Sequence, residues 1–176
     1  MQFIKFSFSF LLLLGLTACG TEEGKNTSVG ITSPDDQTPP PATADASFAD
    51  GMVGTVFQNY LYLRDALVQT DASAAKDAAG KLADALDDNQ ETPKNLAIQI
   101  TRSSDIGVQR AFFEELTKDL GPLFRDQLES GTIYKQYCPM AFDNRGAEWF
   151  SEVEQIANPY FGDKMLRCGK VTEVIN

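Results

Sequence analysis

The stretch GMVGTVFQNYLYLRDALVQ, residues 51–69, decides how the rest of the chain is read. Its apolar side chains fall at Val53, Val56, Phe57, Tyr60, Leu61, Leu67 and Val68, the three- and four-residue spacing that lines one face of an α-helix. The spacing predicts a first helix over 51–69. Next along the chain, Asp71 or Ser73 is suited to cap a second helix by accepting from its free N–H groups. Its stripe is Ala75, Ala78, Ala79, Leu82, Ala83 and Leu86, a small-residue face that lets a neighbouring helix approach closely. Thr92 before Pro93 predicts the start of a third helix carrying Leu96, Ala97 and Ile100, because proline suits the first helical position. A long fourth helix carries Ile106, Ala111, Phe112, Phe113, Leu116, Leu120, Leu123, Phe124 and Leu128, with a kink or break expected at Gly121-Pro122. Four striped helices on short polar links predict an all-α domain over 47–176. The expected architecture is an antiparallel helical bundle closed by an irregular sulfur- and aromatic-rich C-terminal cap.

Upstream of the bundle the texture changes twice. Residues 1–18 begin with one basic residue, Lys5, and continue as a short apolar run to Leu16, about half of the roughly 20 residues that a spanning helix needs. That run is read as a signal peptide. It ends Leu16-Thr17-Ala18-Cys19, which resembles the lipobox of bacterial lipoproteins, so Cys19 is the expected lipidated N-terminus. Gly20, not Asp, follows the cysteine, and the expected location is the cell envelope, lipid-anchored at the outer membrane and facing the periplasm. Residues 19–46 are Gly, Ser, Thr, Asp, Glu and Pro with hardly a bulky apolar side chain, so they are expected to form a disordered tether.

Composition removes several functions. The 176 residues hold 25 acidic and 15 basic side chains and no histidine. Without histidine there is no Ser-His-Asp triad, no Cys-His dyad and no histidine metal site. A net charge of −10 with scattered basic residues disfavours nucleic acid as a partner. Asp143, Glu148 and Glu152 in the C-terminal segment could be read as acid/base carboxylates, but nothing in the sequence sets two of them about one substrate. No catalytic residue is assigned, and the chain is not read as an enzyme.

The residues with chemistry to offer lie after Gly131, where Cys138-Pro139-Met140 and Met165-Leu166-Arg167-Cys168-Gly169 each place a methionine two or three residues from a cysteine. Thiolates and thioethers are soft donors suited to Cu(I) or Ag(I). Cys138, Met140, Met165 and Cys168 are therefore candidate metal ligands. If residues 163–168 form a helical turn, Met165 and Cys168 share a face. The same two cysteines, in an exported chain, also suffice for one structural disulfide. Residue types and spacing leave both uses open. Trp149, Phe150, Tyr160 and Phe161 are expected to bury against the bundle, and Asn158-Pro159 and Gly162 to set turns.

The residues Tyr134, Tyr137-Cys138-Pro139-Met140-Ala141, Gly146-Ala147-Glu148-Trp149, Ser151, Ile156, Asn158-Pro159-Tyr160-Phe161-Gly162-Asp163-Lys164-Met165-Leu166, Cys168-Gly169 and Val171 closely resemble the bacterial domain of unknown function 3347. The resemblance spans about residues 53–174. Members occur alone in lipoproteins and at the ends of periplasmic adaptor subunits of heavy-metal efflux systems. The resemblance implies copper or silver handling, a heavy-metal efflux adaptor as partner, Cys138, Met140, Met165 and Cys168 as ligands, and Trp149 and Tyr160 as supporting aromatics. Tyr137 stands where many members carry histidine.

Overall fold

A computed structural model describes residues 45–176. The expected signal peptide, Cys19 and all of the expected tether except Asp45 and Ala46 lie outside the described residues, and Ala46 packs partly buried against the core. Helix α1 (Gly51–Val68) starts where the Asp50 carboxylate accepts from Met52 N at 2.8 Å. Helix α2 (Ala72–Ala85) starts at Asp71, whose carboxylate accepts from Ser73 N and Ala74 N, each at 2.9 Å. Both satisfy N–H groups that have no partner within the helix. The α2 stripe is buried as its spacing requires, from Ala75 to Leu86.

Two boundaries differ from expectation. Helix α3 (Glu91–Arg102) begins before Thr92, because a 3₁₀ turn at Asp88–Gln90 leads into it, with Gln90 Oε1 accepting from Asp87 N at 3.3 Å. Pro93 then lies buried within the first turn, where its missing N–H is harmless. Helix α4 (Ile106–Gln127) runs without a break through Gly121-Pro122. Burial of Phe113, Leu116, Leu120 and Phe124 on either side of the proline outweighs the single backbone bond that it removes. Gly121 has a packing role instead: a Cβ there would stand 3.1 and 3.2 Å from carbons of the Phe150 ring.

The cap departs most from the expected all-α fold. Strand β1 (Ser47–Phe48) pairs antiparallel with β2 (Leu128–Ser130), and β3 (Ile133–Cys138) is the centre of an antiparallel sheet in the order β4-β3-β5, with β4 at Ala147–Ser151 and β5 at Lys170–Ile175. The described chain is 58% helix and 17% strand, mostly helical with two small sheets. The strands exist because Trp149 and Phe150, adjacent in β4, are both buried. A strand sends successive side chains to opposite faces, so Phe150 reaches α4 while Trp149 covers the sheet's other side.

The bundle and the sheet are joined by polar contacts. Tyr60 of α1 is fully buried, its hydroxyl 2.9 Å from Thr117 Oγ1 of α4 and accepting from Phe150 N at 3.1 Å. Arg64 is 2% exposed and donates to Ser151 Oγ and Glu152 Oε2 at 2.9 and 2.7 Å, and also pairs with Asp65. Burial alone would weaken the charge on Arg64, but Asp65 and Glu152 hold it charged above the ordinary guanidinium value. No helix among the described residues is long and apolar enough to cross a membrane.

Candidate sulfur site and the adjoining cleft

Cys138 ends the central strand and is fully buried. Cys168 follows the 3₁₀ turn Gly162–Met165, and its N–H donates to Met165 O at 3.0 Å. The expected turn therefore exists, and residues three apart in such a turn eclipse one another. The two sulfurs, 30 residues apart in sequence, stand 2.9 Å apart. That separation lies between a covalent sulfur–sulfur bond of about 2.0 Å and the roughly 3.8 Å that two thiolates adopt on one tetrahedral ion with bonds of about 2.3 Å.

One fully buried side chain carries most of the positioning. Asn158 Oδ1 accepts from Tyr160 N and Phe161 N at 2.8 and 3.2 Å, while its Nδ2 donates to Cys168 O at 2.7 Å. Both ends of the amide are used, so the loop carrying Cys168 is fixed to the turn that buries Tyr160. Gln136 Nε2, two residues before Cys138 on the same strand face, donates to Val153 O and Glu154 O at 2.9 and 3.1 Å.

Trp149 lines this face too. Gly169 adopts φ 150°, and a Cβ there would stand 2.9 Å from Trp149 Cη2; the absent side chain lets the indole sit beside the residue that follows Cys168. Tyr160 meets the indole edge-on at 6.0 Å and donates its hydroxyl proton to Glu148 O. Trp149 and Tyr160 are thus packed in the core, as expected, and within the sulfur neighbourhood.

The electrostatics couple the two thiols. Cys168 is pushed up to about 11, chiefly by its hydrogen bond with Cys138, then by burial and by the neighbouring sulfur's charge. The Met140 backbone N–H acts in the opposite direction on Cys168. Such a pair holds a proton at neutral pH and must release it to bind metal or to be oxidised. Among the described residues no group of three or more His, Cys, Asp and Glu is placed to hold one ion. Two thiols therefore need thioether help to complete a soft-metal shell. Met140 is 47% exposed, and Met165 is half-buried.

Beside this site runs a cleft of about 540 Å³ lined by Gly107, Arg110, Met140, Phe142, Asp143, Asn144, Tyr160 and Phe161. One wall is the turn that follows Cys138-Pro139-Met140. Phe142, Asp143 and Asn144 all have positive φ, at 51°, 57° and 67°. Consecutive left-handed residues other than glycine cost roughly 1–2 kcal/mol each. Gly146, at φ 81°, releases the chain from the turn, and any Cβ there would collide with the Tyr137 ring. Facing this wall is Arg110, 9% exposed, donating from Nε to Pro159 O at 2.7 Å and from Nη2 to Leu67 O at 3.0 Å and Thr70 Oγ1 at 3.1 Å.

Neither Arg110 nor the left-handed turn was among the residues singled out from the sequence. Arg110 had a readable signal, since a cation four residues after Ile106 and three before Phe113 sits on the buried stripe. The run Asp143-Asn144-Arg145-Gly146 reads as a turn, but its hand is set by packing.

Residues 56–130 match the family described as protein of unknown function (DUF3347), so the resemblance holds over α1 from Val56 through β2. The residues from Tyr134 to Gly169 lie beyond the matched stretch. No curated protein and no solved structure matches the chain.

Proposed function

We propose that the protein is a lipid-anchored envelope protein, held through Cys19 at the outer membrane and facing the periplasm. In this reading reduced Cys138 and Cys168 bind Cu(I) or Ag(I), with Met140 and Met165 as thioether donors. The observation that carries the reading is the 2.9 Å approach of two sulfurs from segments 30 residues apart. Each methionine is tied to that pair through its backbone: Met140 N–H acts on Cys168 Sγ, and Met165 O accepts from Cys168 N. The sheet fixes Cys138, so metal uptake draws Cys168 back by about 1 Å to make room for the ion. The role is sequestration, or delivery to a heavy-metal efflux adaptor, with binding that releases thiol protons and strengthens as pH rises.

The test is an anaerobic Cu(I) titration of the reduced chain carrying Cys19→Ser, against a competing chelator. Trp149, the single tryptophan, reports the event by fluorescence. One ion per chain is expected, lost in Cys138→Ser and Cys168→Ser and weakened in Met140→Leu and Met165→Leu. Indifference of all four variants would sink the proposal.

A second reading has its own observation. The sulfurs already stand closer than a shared ion allows, and Cys138 is fully buried. On this reading the cysteines form a disulfide that stabilises an interaction module with no metal. Both thiols are then blocked in protein taken from the envelope, and the chelator retains all the copper.

A further inference from the structure

The cleft beside the sulfur pair has a charge that the fold does not neutralise. Arg110 is nine-tenths buried, yet its acceptors are Pro159 O, Leu67 O and Thr70 Oγ1, all uncharged. It forms no ion pair among the described residues, and exposed Asp163 acts on it only at a distance. A buried cation without a counter-ion is costly, and in proteins such charges are usually paired. Nη1 has no acceptor among the described residues, and Arg110 lines the cleft. Gly107 in the first turn of α4 borders the same space, but its N–H is taken by the Asp105 carboxylate at 2.7 Å, so the anion preference rests on Arg110 alone.

The remaining wall is apolar. Phe142, Tyr160, Phe161 and Met140 line it, with exposed Asp143 and Asn144 of the turn at its edge, and a volume of about 540 Å³ is in the range of small-molecule sites. An inorganic ion would leave these side chains uncovered. We propose that the cleft binds a small monocarboxylate with an aromatic or branched apolar body, the carboxylate on Arg110 Nη1 and the body against Phe142 and Phe161. The strained turn Phe142–Asn144 is the wall that shapes this pocket. The proposal does not depend on metal at the sulfur pair.

The test titrates the full chain carrying Cys19→Ser, with air-oxidised thiols, with benzoate, acetate, benzamide and inorganic phosphate, following Arg110 Nε–H and the Phe142 and Asn144 amides by NMR. Benzoate is expected to saturate all three signals. Acetate should bind several-fold more weakly, and benzamide and phosphate not at all. Arg110→Gln should abolish binding, but Arg110 also holds Leu67 O and Pro159 O, so that variant risks the fold. Two exposed turn variants avoid the risk, because Asn and Asp both tolerate left-handed backbone. Asp143→Asn should tighten benzoate several-fold and Asn144→Asp should loosen it several-fold. Benzamide binding as tightly as benzoate, phosphate binding more tightly, or no saturable shift with benzoate at tens of millimolar would each overturn the proposal. Identical benzoate affinity in wild type and both turn variants would do so as well.

Discussion

The helical bundle and the sulfur-bearing sheet are held together by different kinds of force. In the bundle, Leu61, Leu67, Leu82, Ile100, Leu116 and Phe124 are buried by shape and apolarity, and such burial is non-directional. At the sheet end, position depends on single partners: Asn158 for the Cys168 loop, Gln136 for the loop after β4, Arg110 for the turn at Pro159. Directional contacts also close the left-handed turn, where Gly146 N donates to Ala141 O at 3.0 Å, and accompany two sulfurs at 2.9 Å. Apolar contacts alone would let both relax. The bundle is therefore the foundation and the sheet end the place where unusual geometry is maintained.

The hardest test of that division is Phe113→Ala. Phe113 is fully buried, stacked on Tyr60 at 5.0 Å and against Tyr160 at 5.9 Å. Truncation is expected to cost about 3–5 kcal/mol, measured by denaturant unfolding, by the same amount in oxidised and reduced protein. A cost that changed with redox state would break the separation between the regions. Reduction comes next. If Cys138 and Cys168 are joined, their loop of 30 residues constrains the unfolded chain, and reducing it should lower stability by about 3–4 kcal/mol. Cys138→Ser should show no such response to reductant, with its Trp149 emission constant across the same change.

How much of this was legible follows the same division. The helices were, because spacing at three and four repeats over many turns and Asp71 offers a local cap; the caps at Asp50 and Asp105 appear only in the structure. Pro122 misled, since the helix potential on both sides exceeds one lost bond. Strand β3 was hidden by a register shift between Lys135 and Gln136, which places Ile133, Gln136 and Cys138 among the buried positions out of the period of two. In β4, burial of Ala147, Trp149, Phe150 and Ser151 erases any alternation. The cysteines and methionines were identifiable by their chemistry. Their spacing showed neither that two sulfurs meet nor that Met140 lines the cleft with Arg110.

Tyr60 links the regions and gives the next effect in size. Burial pushes its hydroxyl up to about 12, against the lowering pull of Thr117 and Phe150 N. A folded-state value above the unfolded value of about 10 means that its contribution is intact below pH 10. It is lost as pH rises toward 12, because the unfolded chain ionises first. The expected loss is about 2–3 kcal/mol over that window. Tyr160 is raised as well, so the relevant quantity is the difference in slope between wild type and Tyr60→Phe. Equal slopes above pH 10 would show that burial at the junction of α1, α4 and β4 does not raise the Tyr60 hydroxyl.

The smallest expected effect is at Gly121, where bundle and sheet touch. In a helix interior alanine is favoured over glycine by about 1 kcal/mol, so Gly121→Ala should stabilise α4 if nothing else contacts the site. Here the new methyl would meet Phe150 carbons at 3.1 and 3.2 Å, tighter than ordinary contact. Phe150 cannot withdraw freely, since its N–H is bound to Tyr60 and its ring meets Phe124 at 5.7 Å. The two terms are opposed and of similar size, and the net change in unfolding free energy should lie within about 1 kcal/mol of zero. The sign depends on how far the sheet yields. A gain near the full helix preference would mean that β4 moves readily on the bundle. A loss would mean that it is held there firmly enough to keep Trp149 and the sulfur pair in register.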